Sequence, residues 1–252
     1  MKLKTIASSS SGNCTRVSSG KTSILIDCGI PRKRVYEDGV FDISAIFITH
    51  EHSDHIKGVN VLYKKAKCKV YLHRHVYEAR PKHFESIPIE DIMFIEAGDI
   101  TTIDDTFTVE GFSTKHDAAY SMGFVVTEIS SSKRFGYMTD TGAVTALIKN
   151  KLKECDSYFI EADYDDEQLK KYADYSIELK DRIKGNFGHL STAQAIEFIK
   201  ESVDLEKVNN VIFGHLSART NSPELVQASI DEEFPKYINK FYIAPIDEEL
   251  DI

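Results

Sequence analysis

Short apolar runs alternate with polar, turn-forming loops along the chain. Residues 3–7 give a first strand candidate, stopped by the loop 8–13 (SSSSGN). Residues 23–27 (SILID) form a continuous apolar strand that ends at Cys28-Gly29, and residues 45–49 (AIFIT) form another that ends at His50. Ile56, Val59, Val61 and Leu62 have helical spacing, which predicts a helix over 56–66 before a strand over 69–72. Residues 92–112 alternate in the β manner, with turns expected at Ala97-Gly98 and Asp104-Asp105. Residues 124–129 and 134–139 read as a hairpin. A helix over 143–152, a strand over 157–161 and a charged helical excursion over 165–184 follow. Ser191 and Gln194 fit a capping box, so a helix is expected to start there, with Ile196, Ile199 and Val203 on its apolar face. Residues 208–213 predict a strand that runs into Gly214-His215. Ser222 before Pro223 predicts the cap of a last helix, and residues 241–244 a closing strand. Strands and helices are interleaved without a linker-like stretch, which predicts one α/β domain over 1–252.

Composition excludes several alternatives. Apolar residues make up 42% and charged residues 28% of 252, ordinary for a globular chain. No run approaches the ~18 apolar residues of a membrane-spanning helix, and the N-terminal apolar patch is too short for the core of a secretion signal. The four cysteines, Cys14, Cys28, Cys68 and Cys155, form no CxxC pair. Reduced thiols in a cytoplasmic protein, without membrane contact, are therefore expected. The formal net charge of −9 argues against a protein that coats polyanions passively.

The informative segment is Thr49-His50-Glu51-His52-Ser53-Asp54-His55. It places three of the nine histidines and an aspartate within six residues, directly after an apolar strand. Imidazole and carboxylate suit zinc and similar divalent metals, including manganese and iron. On a turning loop, His50 and His52 can point to one site while Asp54 and His55 reach a second about 3.5–4 Å away, the usual two-metal spacing. No GxxxxGK and no GxSxG is present, so a nucleoside triphosphatase and a serine hydrolase are not indicated.

His50-x-His52-x-Asp54-His55 resembles the signature of the metallo-β-lactamase superfamily. Asp27 in LIDCG, His116 in STKHD, Asp140 in YMTDTG and His215 in IFGHLS follow in the order that family uses. SSSSGNC, ILIDCG, ITHEHSDHIKGV and HLSxxxNxPEL narrow the resemblance to its WalJ/YycJ-type exonuclease branch. GHLSTAQA (188–195) and FIEAD (159–163) are similar to two motifs of tRNase Z. Asp163-Tyr164 and Thr220-Asn221 depart from the branch pattern, outside the ligand positions.

The resemblance implies a four-layer αββα sandwich and two divalent metal ions. His50, His52 and His116 would hold the first, and Asp54, His55 and His215 the second, with Asp140 as the bridge. It implies His189 as general acid, oriented by Glu161, with Asp54 also central to catalysis. Ser11, Asn13, Ser217 and Asn221 are candidate substrate contacts. The implied activity is that of a metal-dependent phosphodiesterase, a 5′-to-3′ DNA exonuclease, with RNA as the nearest rival substrate. A small cyclic phosphodiesterase, or another ester hydrolase on the same scaffold, is the alternative. Two divalent ions would add +4 at the cleft, which makes the acidic balance compatible with capture of a strand end. His73-Arg74-His75 is expected near the site, at a strand end, where it could touch phosphate.

Overall fold

A computed structural model of the chain describes residues 1–31, 33–34 and 42–252. Among them, fourteen strands form two seven-stranded sheets. The first holds β1 (Lys2–Ala7), β2 (Cys14–Ser19), β3 (Thr22–Ile26), β4 (Ala45–Phe47), β5 (Lys69–Leu72) and β6 (Ile92–Phe94), with β14 (Glu249–Asp251) at the edge beside β1. The second runs from β7 (Ile100–Ile103) through β8 (Phe107–Ser113), β9 (Met122–Glu128), β10 (Arg134–Met138), β11 (Ser157–Glu161) and β12 (Asn210–Gly214) to β13 (Phe241–Ile243).

The side-chain period of two explains the layering. Ile24 and Ile26 of β3, Phe47 of β4 and Tyr71 of β5 point inward. There they meet Val109, Phe124, Phe135, Tyr137 and Phe159 of the second sheet in one buried core. The alternate residues Leu25, Ile46, Val70 and Leu72 point outward, under α1 (Ser53–Ile56), α2 (Val59–Ala66) and α3 (Arg74–Ala79). Tyr158, Ile160 and Phe213 point outward from the second sheet. They lie under α4 (Ala146–Leu152), α7 (Thr192–Ser202) and α8 (Pro223–Glu233). The expected four-layer αββα sandwich results. Burial on both faces is why the central strands read as continuous apolar runs rather than alternating ones.

The charged excursion contains two helices, α5 (Asp166–Lys171) and α6 (Ile177–Lys184), capped by the side chains of Asp165 and Ser176. The expected capping box is present at Ser191, and Ser222 caps α8 with Pro223 at its first position. The turns at Gly98 and Asp104-Asp105 adopt positive φ.

Three elements escape the sequence pattern. β2 (CTRVSS) is mostly polar and becomes a strand because β1 and β3 pair with it on both sides. α3 and β14 are short. The helix expected over 56–66 is also broken at Lys57-Gly58. The Gly58 N–H donates to the Cys28 carbonyl at 2.8 Å, so the chain after β3 presses against the break. Among the described residues, no helix is long and apolar enough to cross a membrane, and all four cysteines are free and buried.

Strands β3 to β6 run parallel to one another, as do β10 to β13. Their carboxyl ends open to one edge of the sandwich, where ligands of α/β sheets usually bind. Asp27 follows β3, His50 follows β4 and His73 follows β5. Asp140 follows β10, Glu161 ends β11 and His215 follows β12.

Candidate active site

At that edge, the rings of His50, His55 and His116 are each fixed by one nitrogen. Asp27 is wholly buried, and its carboxylate accepts from the Thr49 N–H at 2.9 Å and lies 2.7 Å from His55 Nδ1. The Thr49 hydroxyl, itself bound to Asp27, lies 3.0 Å from His50 Nδ1. His116 Nδ1 donates to the Gly188 carbonyl at 2.9 Å. Holding the first nitrogen in this way aims the second at the centre of the site, the usual arrangement behind metal-binding histidines.

The aimed atoms converge in two groups. The rings of His50, His52 and His116 lie 4.6–5.0 Å from one another. Beside them, Asp54 Oδ2 lies 3.3 Å from His55 Nε2 and 3.8 Å from His215 Nε2. Asp140 stands between the groups. Its Oδ2 is 3.3 Å from His55 Nε2, while its Oδ1 is 3.4 Å from His215 Nε2 and 3.8 Å from His116 Nε2. The ligand atoms of His50, His52 and His116 fall within metal-binding reach of one another, as do those of Asp54, His55 and His215. His50 Nε2, Asp140 Oδ2 and His215 Nε2 are buried without a hydrogen-bond partner. Stranded polar atoms are costly unless something satisfies them. Five imidazoles and two carboxylates are a donor set suited to zinc-like divalent cations, so the residues fit such ions.

Electrostatics follow from this crowding. Burial, and then the charge on His55, push His50 well below the ordinary histidine range. Burial would also depress His55, but the charges of Asp140 and Asp27 outweigh it and hold His55 up at about 10. Burial favours the neutral form of Asp140, yet the surrounding histidines, His215 and His55 first, keep its carboxyl well below its usual range.

Next to the cluster, His189 Nδ1 lies 2.5 Å from Glu161 Oε1. The other oxygen of Glu161 accepts from the Thr141 N–H at 3.0 Å. Burial lowers the His189 pKa, but Glu161 more than compensates and holds it up at about 9. Glu161 itself is fully buried, and His189 keeps some exposure to the opening.

Two close approaches fix the loops. A Cβ on Gly29 would lie 1.3 Å from the Asp54 carbonyl oxygen, so only glycine lets the turn after β3 pass beneath the motif. A Cβ on Gly142 would lie 2.2 Å from the Gly185 carbonyl oxygen, which seats the Asp140 loop against the segment that carries His189. Asp27, Asp140 and His215 adopt φ of +63°, +53° and +54°. Non-glycine residues in that region are uncommon and concentrate at functional sites.

The candidate substrate contacts are placed differently from one another. Ser11 is exposed, and its carbonyl accepts from Lys57 Nζ at 2.6 Å. Asn13 is buried beneath the cluster, with Nδ2 at 3.2 Å from Asp54 Oδ2 and 3.0 Å from His55 Nε2. Both amide hydrogens of Asn221 are used internally, on the Ala162 carbonyl at 2.7 Å and the Thr192 hydroxyl at 2.9 Å. The buried Ser217 donates its N–H to the Asp163 carbonyl at 2.8 Å. Asn13 and Asn221 are thus tied by their side-chain amides to neighbouring groups, whereas Ser11 is exposed. His73 sits at the carboxyl end of β5, where its ring stacks on Tyr120 at 3.6 Å and its Nε2 pairs with Glu96 at 2.9 Å.

Thr49 and Ser8 also hold the site, although little in their local sequence marks them. Thr49 joins Asp27, His50 and His55 through one hydroxyl, and its only signal was its place before His50. The Ser8 hydroxyl accepts from the His215 N–H at 2.6 Å. That contact spans most of the chain, so no local signal could have shown it.

Residues 22–212 match the family model described as "Beta-lactamase superfamily domain". The chain is 29% identical to "Exodeoxyribonuclease YycJ" of Bacillus anthracis over 238 residues, covering 92% of this chain and 88% of the relative. It is 31% identical to "Exodeoxyribonuclease WalJ" of Streptococcus pneumoniae serotype 2 strain D39 over 237 residues, covering 91% and 86%. Its fold is similar to the crystal structure of zinc-bound PqqB from Methylobacterium extorquens, with a TM-score of 0.79 at 14% identity over the whole of both chains. The buried histidine–aspartate cluster, the two facing sheets and these matches agree: the chain belongs to the metallo-β-lactamase superfamily.

Proposed function

We propose that the chain is a metal-dependent phosphodiesterase, a 5′-to-3′ DNA exonuclease, with the whole of residues 1–252 acting as one catalytic domain. The observation that carries this reading is the His189–Glu161 pair beside the cluster, 2.5 Å apart. Hydrolysis of a phosphodiester expels an alkoxide, which needs a proton more than a thiolate does, and a histidine held cationic by a buried carboxylate can deliver one. The two exodeoxyribonuclease-named relatives point to the same substrate class.

His50, His52 and His116 would hold one divalent ion, and Asp54, His55 and His215 a second, with Asp140 shared between them. Such ions, zinc or manganese with iron as a further option, supply stabilisation of phosphate charge and activation of a water. The chain's own residues do the rest. Asp27 and Thr49 orient His55 and His50, and Asn13 steadies Asp54. Asp54, at the mouth of the second group, aligns the reacting water. Glu161 keeps the His189 proton available for the departing sugar oxygen. Ser11, on the exposed loop, would meet substrate, with Ser217 as a further candidate contact, while Asn13 and Asn221 would act as supports.

The test is a time course with 5′-labelled DNA and RNA and added Mn²⁺ or Zn²⁺. Shortening of DNA from the 5′ end, abolished by Asp54→Ala, is expected. Inert wild-type protein on substrates that a control nuclease degrades would sink the reading. Turnover of a cyclic or nitrophenyl phosphodiester alone would favour the small-molecule alternative.

A further inference from the structure

Three exposed side chains on the segments that carry His116 and His189 take no part in that chemistry: Lys115, Arg182 and Phe187. Lys115 directly precedes His116. Its N–H donates to the Thr141 hydroxyl at 3.1 Å, and its carbonyl accepts from the Gly142 N–H at 2.8 Å. Phe187 lies two residues before His189, in a turn closed by the Gly188 N–H on the Gly185 carbonyl at 2.8 Å and the His189 N–H on the Ile183 carbonyl at 2.9 Å. Gly142 is wedged against that turn, with an added Cβ only 2.5 Å from Gly188 N. The two backbones are thus fixed against each other.

Their side chains nonetheless face outward. Phe187 is 58% exposed, and Lys115 Nζ lies 5.7 Å from its ring centroid. Arg182 on α6 donates from Nε to Asp117 Oδ2 at 2.5 Å, which neutralises the carboxylate of that wall. With Leu179 and Ile183 it closes a cavity of about 140 Å³ whose other side is His52, His116 and His189. A large exposed ring on a rigid loop contributes little to folding, because it is not withdrawn from water. An exposed ring with a cation beside it is the combination with which proteins hold single-stranded nucleic acid: bases stack on the ring and cations follow the phosphates.

We infer that Phe187 and Lys115, beside the cavity wall that Arg182 forms, make a subsite for a single-stranded nucleic-acid end, with one nucleobase stacked on Phe187 and a neighbouring phosphate met by Lys115. The inference rests on the nuclease reading above. A base inside a duplex has both faces stacked and a terminal pair offers only its outer face, whereas an unpaired base can turn fully onto the ring, so the subsite favours unpaired ends over blunt ones.

The test uses the Mn²⁺-loaded full chain on 5′-labelled single-stranded DNA, with bis(p-nitrophenyl) phosphate as a substrate that has no base. Phe187→Ala is expected to lower kcat/KM on the oligonucleotide about tenfold, mainly through KM, the size of one lost base–aromatic stack. Phe187→Trp is expected to restore it. The loss on the oligonucleotide must exceed any loss on the small ester by at least about fivefold, within the range of one stack. Lys115→Ala is expected to weaken the salt dependence of KM, by a slope of about 0.7 for one phosphate contact on a single strand. Wild-type behaviour of Phe187→Ala on the oligonucleotide, or equal losses on both substrates, overturns the subsite while leaving the nuclease reading intact. Wild-type protein that cleaves the small ester but shortens neither DNA nor RNA overturns both.

Discussion

Asp27 Oδ2 lies 2.7 Å from His55 Nδ1, although neither residue has any solvent exposure and 28 positions separate them. The carboxylate fixes which nitrogen of His55 faces the cluster and raises its basicity as a ligand. Asp27→Asn removes the charge but keeps a side chain that tolerates the positive φ at this position. Metal affinity is expected to fall about 10–100-fold, the usual effect of losing a carboxylate behind a ligand histidine. Chelator competition measures it, and an unchanged affinity would show that His55 needs no such support.

His189→Ala is expected to retain both metals per chain and to lose about 10²–10⁴ in rate on DNA, the range for general acid–base catalysis. The loss should be smaller for a nitrophenyl ester, whose leaving group needs no proton. Glu161→Gln should follow the same pattern more weakly. Asp140, Glu161, His189 and His215 also lie within metal-binding reach of one another. Metal analysis of His189→Ala therefore discriminates: a lost ion would make His189 a ligand rather than an acid.

Protons and metals compete for the same atoms. Without a metal, Asp140 and Asp27 hold His55 up at about 10 despite its burial, and Asp140 with the other carboxylates holds His215 well above the ordinary range. His55 is therefore an imidazolium at pH 7, and metal binding must release its extra proton. Affinity is expected to rise with pH between 7 and about 10. Calorimetry in buffers of different ionisation enthalpy counts the protons released, and zero release would contradict the arrangement. The sign for folding is the reverse. The pKa of His55 is raised on folding, so its contribution to metal-free stability is full below 6.5 and is lost as pH rises through about 10. The melting temperature of the chelated protein should fall over that window.

Gly29→Ala would place a methyl group 1.3 Å from the Asp54 carbonyl oxygen. Either the turn or the metal-binding loop must move. Destabilisation of about 1–3 kcal/mol or more is expected, as for other overpacked positions, together with weaker metal binding. Thermal melting and metal content report the two effects separately. A variant with wild-type melting and metal content would show that the loop can yield there.

Local order was legible where the local signal was strong. The strands 69–72 and 157–161, the Ser191 capping box and the Ser222-Pro223 helix start each stand where their own residues specify. The cluster was legible because four of its members lie within six residues and the rest follow in family order. β2 was not, because its polar side chains become a strand only through the partners on either side.

The sequence by itself thus determined the donor set: which imidazoles and carboxylates exist, and that strand ends carry them. Tertiary structure alone decided their orientation. Asp27, Asp140 and His215 each adopt a positive φ just beyond a strand, a conformation that packing must impose on a non-glycine residue. The Thr49 hydroxyl and Gly29 meet partners far along the chain. Asn13 and Asn221 are tied by hydrogen bonds to groups 41 and 59 positions away. Backbone strain and long-range hydrogen bonds are held in place by the packed sheets, and neither leaves a trace in local composition or periodicity.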